Sequence, residues 1–188
     1  MPAAAPPDRW GAVAKLFHWL TAVLVIALAV IGIIMADMPL GVQKLELYGQ
    51  HKSIGVTVFA LTTLRLIWRL THPAPPPLVP PGAAEIALAK AVHVLLYAVL
   101  FAMPLDGWIM SSAANFSVSV FGLFTLPNLV GPDKALEEAA KAAHFWMACT
   151  LGGLILLHLA GALRHHVLLR DDTLRRMLPF GRLRDSGP

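Results

Sequence analysis

Between Leu16 and Ala36 the chain has a single ionisable side chain, His18, and Asp37 ends the run. As a helix those 21 residues rise about 31 Å, enough to cross the hydrocarbon core of a bilayer. A lipid-exposed backbone must satisfy its own hydrogen bonds, so such a run is a membrane helix or nothing. The signal-peptide alternative fits poorly, because the run exceeds a typical apolar core and no small-x-small cleavage site follows it. The rest of the chain agrees: 57% of residues are hydrophobic, only 14% are charged, and the mean hydropathy is +0.66. Soluble domains carry about 25% charged residues, so a soluble enzyme is disfavoured, and disorder is excluded by the high hydrophobicity.

Three more spans follow. The second lies at about 51–70: no charge falls between Ser53 and Leu64, and Arg65 and Arg69 can snorkel to the interface. The prolines from Pro73 to Pro81 cannot continue a helix and predict an extended linker. The third span covers about 88–112, with Pro104 and Gly107 expected to kink it. Residues 113–131 are apolar but rich in Ser, Gly, Pro and Asn, so 116–129 reads as a loop on the membrane surface and not as a fifth span. The fourth span covers about 142–165 and is interrupted by His144 and His158.

An even number of spans puts both termini on one side. That side would hold Arg9, Lys15, Arg65, Arg69, Lys90, Arg164, Arg170, Arg175, Arg176, Arg182 and Arg184, eleven of the 15 Lys and Arg residues. Lys44, Lys52, Lys134 and Lys141 fall on the other. The positive-inside rule places the richer side in the cytoplasm, and it explains the net charge of +4 without a nucleic-acid partner. The expected fold is therefore all-α: one domain over 1–188, an integral membrane four-helix bundle with both termini cytoplasmic.

Intramembrane ionisable residues mark functional sites. His144 and His158 are 14 residues apart, about 21 Å along a helix and about 40° short of four full turns, so they share a face near opposite membrane surfaces. His18 is expected at the depth of His158, and His51 at that of His144. Two imidazoles from different helices can bind one haem iron from opposite sides, and a bundle core is a usual place for such a site. A lone interfacial histidine is ordinarily just a polar residue among headgroups; two depth-matched pairs on one helix face argue for haem. His93 lies at a similar depth to His18, and spacing alone does not separate them. Zinc would need three or four ligands at one depth, which this pattern does not supply. The single cysteine, Cys149, rules out an internal disulfide framework, a thiolate iron–sulfur cluster and covalent C-x-x-C-H haem attachment.

The chain resembles the bacterial dihaem cytochrome b561 family over nearly its whole length. The matching stretches are Leu16-Phe17-His18-Trp19-Leu20, Tyr48-Gly49-Gln50-His51-Lys52-Ser53-Ile54-Gly55 and Leu64-Arg65-Leu66-Ile67-Trp68-Arg69. They continue with His93-Val94-Leu95-Leu96-Tyr97, Met103-Pro104-Leu105-Asp106-Gly107-Trp108, the pair His144 and His158, Arg164-His165-His166, and Asp172-Thr173-Leu174-Arg175-Arg176-Met177. The resemblance implies a multi-pass protein of the bacterial inner membrane with two non-covalent haem b. It implies His18, His51, His144 and His158 as axial ligands, paired 18 with 158 and 51 with 144, and leaves His93 outside the coordination shell. It also implies transmembrane electron transfer between a periplasmic-side donor, superoxide in one branch, and membrane ubiquinone or ubiquinol. If the chain is an enzyme, it is then a superoxide:ubiquinone type oxidoreductase. No motif singles out superoxide, and no residue is assigned a catalytic role.

Other residues have supporting roles to be tested. Lys15, Arg65, Arg69, Arg164 and His165 on one side, and Lys52, Ser53 and Lys141 on the other, are candidate haem-propionate partners, though basic residues also simply set topology. Gly55, Gly152 and Gly153 would let a porphyrin approach the backbone, or would serve close helix packing. Trp19, Trp108 and Trp146 read as interfacial belt residues. Asp106 could relay a proton at a quinone site, but an interfacial, solvated carboxylate is the favoured reading. Two other classes compete: a cytochrome b anchor subunit of a larger respiratory oxidoreductase, and a haem-free transporter with histidine proton relays.

Overall fold

The computed structural model describes residues 9–72, 74–76, 82–180 and 183. Most of the proline-rich linker, and Arg182 and Arg184 of the basic tail, lie outside the described residues. Four long helices dominate: α1 (Ala12–Asp37), α2 (Val42–Thr71), α3 (Ala83–Ala113) and α4 (Lys134–Leu163). Each is long and apolar enough to cross a membrane, and together they form a four-helix membrane bundle. All four extend beyond the spans read from hydropathy, because polar helix ends project past the apolar core. α3 stays helical through Pro104 and Gly107.

Close backbone packing runs from α1 to α2, α2 to α3 and α3 to α4. The buried apolar centre is small: Val25, Val58 and Leu151 pack together, with Leu28, Ile54, Val99 and Met103 against them. Val25 is seven residues from His18, Val58 seven from His51, and Leu151 seven from both His144 and His158. Seven residues are two helical turns, so the core uses the same helix faces as the histidines and forms a layer between the two histidine levels. The other faces point outward: Leu16, Val23, Ile26, Val30 and Ile33 of α1 are exposed, as lipid contact requires.

The 116–129 segment differs from the surface loop expected. It holds an antiparallel hairpin, β1 (Val118–Val120) and β2 (Phe124–Leu126), with Ser119 opposite Thr125. Two three-residue strands are too short for alternation to register in sequence. The chain reaches the hairpin through a helix stop at Asn115, whose φ of 59° is left-handed. The Phe116 N–H donates to Ser111 O and the Asn115 N–H to Ser112 O, which closes the last turn of α3. Val118 and Val120 bury their side chains, and Ser53 of α2 holds the strand. Its hydroxyl lies 3.2 Å from Ser119 O and accepts from the Phe121 N–H at 3.0 Å. Beyond the hairpin, Asp133 caps α4 by accepting from the Leu136 N–H at 3.0 Å.

At the opposite end α4 passes into a π-helical turn, Arg164–Leu168, followed by the short α5 (Thr173–Met177). Trp19 of α1 donates its indole N–H to Met177 O at 2.8 Å, so the segment after α4 is tied to the start of α1. Both ends of the bundle's chain path therefore lie at the level of His18.

Candidate functional site

The four helices bring the histidines together in two pairs. His18 on α1 faces His158 on α4 with ring centroids 6.2 Å apart and planes at 64°. His51 on α2 faces His144 on α4 at 6.3 Å and 62°. α4 packs its backbone closely on α3, so these contacts bridge the wider separation between α4 and the α1–α2 pair.

Both spacings fit a metal held from two sides. A metal–imidazole bond is about 2.0 Å and a ring nitrogen lies about 1.1 Å from its centroid, so opposed imidazoles on one metal stand about 6.2 Å apart. Among the described residues no group of three or more His, Cys, Asp or Glu is arranged for a lone metal ion. Two protein ligands per site suit a metal whose equatorial positions are already filled, as in a porphyrin. His93 is also near His158, with centroids 5.3 Å apart, which is short of the opposed span.

The space beside the histidines is shaped by glycine. A Cβ at Gly32 would lie 3.5 Å from His51 Cε1, and one at Gly107 would lie 3.5 Å from His144 Cε1. A Cβ at Gly55, Gly152 or Gly153 would meet no heavy atom within 4 Å, so close helix packing does not account for these three.

The second ring nitrogens have different surroundings. His144 Nδ1 lies 3.0 Å from Asp106 Oδ2, with the two side chains only 23% and 16% exposed. The solvated Asp106 expected from sequence is thus corrected: α3 turns this carboxylate inward onto α4. Arg65 Nη2 lies 3.0 Å from His18 Nδ1, and the guanidinium also lies over the Tyr97 ring at 5.6 Å. A guanidinium only donates, so Nδ1 of His18 accepts, and the proton of the neutral ring then sits on Nε2. His51 Nδ1 is buried and has no hydrogen-bond partner among the described residues.

Several supporting residues are engaged elsewhere. Arg164 pairs with Glu85 at 2.5 Å, and His165 bridges Glu85 and Asp171 at 3.2 and 2.6 Å. Ser53 is committed to the hairpin. Trp108 donates to Pro127 O at 2.9 Å, and Trp146 is exposed, as a belt residue would be.

A family model described as prokaryotic cytochrome b561 matches residues 9–180. The chain belongs to the prokaryotic cytochrome b561 family. It is 35% identical over 173 residues to cytochrome b561 homolog 2 of Escherichia coli (strain K12), covering 92% of each chain. It is 32% identical over 129 residues to the probable superoxide oxidase CybB of Yersinia pestis, covering 69% of this chain and 73% of that one. Cytochrome b561 homolog 1 of Escherichia coli (strain K12) is 29% identical over 163 residues, covering 86% and 92%. This cytochrome b561 is therefore a multi-pass protein of the bacterial inner membrane, in a family that binds b-type haem and serves electron transport.

Sequence reasoning overlooked the Asp106–His144 and Arg65–His18 contacts and the two glycines against the rings. Asp106 was a functional candidate by position, as a carboxylate at the end of an apolar span, but its partner on α4 was not legible.

Proposed function

We propose that this cytochrome b561 carries electrons across the membrane through two haem b, one held by His18 and His158 and the other by His51 and His144. The observation that carries the reading is the pair of centroid spacings, 6.2 and 6.3 Å, each matching imidazoles opposed across one metal. His18 with His158, and His51 with His144, would each hold one haem, which would supply a one-electron iron couple there. His18 can donate through Nε2 only once Arg65 leaves its Nδ1, which frees that guanidinium for a propionate. Lys15, Arg69, Lys52 and Lys141 remain the other propionate candidates.

The positive-inside count supports a cytoplasmic His18 end and a periplasmic His51 end. Electrons then enter at the His51 end from a periplasmic donor and leave to ubiquinone. The relative named as a probable superoxide oxidase makes superoxide the donor to test first, with superoxide oxidised to dioxygen and one electron passed on.

A pyridine haemochrome assay on the detergent-purified chain tests the haem count, with about two haem b per chain expected. Reduction of the cytochrome by a superoxide flux, in the presence of catalase and reversed by added ubiquinone, tests donor and acceptor. One haem per chain, or reduction by quinol but never by superoxide, would overturn the corresponding part.

A further inference from the structure

Of the four paired histidines, His144 alone meets a carboxylate among the described residues: Asp106 Oδ2 lies 3.0 Å from its Nδ1. A carboxylate accepts and does not donate, so His144 Nδ1 carries the proton and Nε2 keeps its lone pair. His18 is in the opposite state, with a guanidinium against its Nδ1 at the same 3.0 Å. His51 Nδ1 has no hydrogen-bond partner among the described residues. The two sites are therefore built differently around rings that are spaced alike.

Resting on the two-haem reading above, we propose that Asp106 is a positioning residue for His144: it fixes the ring tautomer, aims Nε2 at the ligand site and makes the His51/His144 haem the harder of the two to reduce. A hydrogen-bonded carboxylate behind a ligating imidazole raises its basicity, and a more basic axial ligand favours ferric over ferrous iron. Gly107, next to Asp106 on α3, complements this: a Cβ there would lie in ordinary contact with His144 Cε1 at 3.5 Å, so only bulk beyond Cβ would meet the ring. Asp106 thus holds the imidazole through Nδ1, while Gly107 leaves room for it beside α3. The electronic effect favours passage of an electron from the His51/His144 site toward the His18/His158 site, the direction proposed above.

Potentiometric titration of purified D106N tests this. Asn is isosteric and its carbonyl still accepts from Nδ1–H, so the ring stays in place while the charge is lost. At the poise where the His51/His144 haem of the wild type is half reduced, D106N should show at least a tenfold higher ferrous-to-ferric ratio, about 59 mV for a one-electron couple. The other haem should titrate unchanged, and D106E, which restores a carboxylate, should move the first haem back toward the wild type. The H144A variant, retaining only the His18/His158 haem, identifies which titration step is which. Two haems in D106N with wild-type midpoints would overturn the role of Asp106 and leave the two-haem reading standing. Fewer than two haems in the wild type, or two haems in H144A, would instead overturn the reading beneath it.

Discussion

His51 and His144 stand with ring centroids 6.3 Å apart, and the residues seven places further on, Val58 and Leu151, pack against each other in the buried core. The same two-turn step leads from His18 to Val25 and back from His158 to Leu151. One helix face thus serves both purposes: histidine at the two outer levels, aliphatic side chains between them. The aliphatic layer keeps the two sites apart, and each site should depend only on its own pair of histidines.

Replacing ligands one at a time checks that independence. H51A and H144A should each lower the haem content from about two to about one per chain and remove the same spectral component. H18A and H158A should remove the other component. H93A should keep both, because His93 stands only 5.3 Å from His158. Loss of a haem in H93A with retention of both in H18A would reverse the assignment at that end. Haemochrome content and low-temperature α-band spectra read all five variants.

Much of this was legible in the sequence, and the reasons are physical. Membrane helices announce themselves because lipid forces about 20 apolar residues into each span, and the histidines stand out because ionisable groups are costly there. The 14-residue step from His144 to His158 fixes depth and face together on one helix. Contacts between helices carry no such signature. Nothing in the order of residues shows that Asp106 turns inward onto His144, that Arg65 meets His18, or that Gly32 and Gly107 lie against rings on other helices. The hairpin was hidden for another reason: strands of three residues are shorter than the period needed to recognise them, and what holds them, the Ser53 hydroxyl, lies more than 60 residues away.

The glycines beside the rings give a graded test. At Gly107 an added Cβ would lie 3.5 Å from His144 Cε1, an ordinary contact, so G107A should keep full haem content. G107V adds branched bulk against the ring and should remove the same haem that H144A removes. Gly32 stands in the same relation to His51, at 3.5 Å, so G32A and G32V should repeat the pattern. Equal haem content in the Ala and Val variants would show that the rings have room to move away from α1 and α3.

Ser53 should control the docking of the hairpin. Phe121 has a φ of 50°, which a bulky residue adopts only when held there, and its N–H donates to Ser53 Oγ at 3.0 Å. The single hydroxyl proton is closer to Gly49 O, at 2.8 Å, than to Ser119 O, so what S53A takes from the hairpin is the acceptor of the Phe121 N–H, at a cost of about 1–3 kcal/mol. The Phe121 amide should then exchange with deuterium at least about tenfold faster, with the α2 amides below it little changed. Unchanged protection at Phe121 would show that Val118 and Val120, buried beneath the hairpin, are enough to hold it.

The cluster beneath the His18 end should respond to acid in a defined direction. Asp171 lies just past the π-helical turn, where its carboxylate accepts from His165 at 2.6 Å and from the Thr173 N–H at 2.8 Å. Burial opposes its charge, but these hydrogen bonds, with the attraction to His165, outweigh it and hold the carboxyl below the usual carboxylate range. A carboxyl whose native pKa is depressed contributes stability above its unfolded pKa, about 3.9, and loses it as the pH falls through the native value. The stability gap between wild type and D171N should therefore be full above about pH 5 and close as the pH drops below about 4. Thermal unfolding of both proteins in detergent across that range measures it. A gap that persists undiminished in strong acid would show that Asp171 acts there through shape and not through charge.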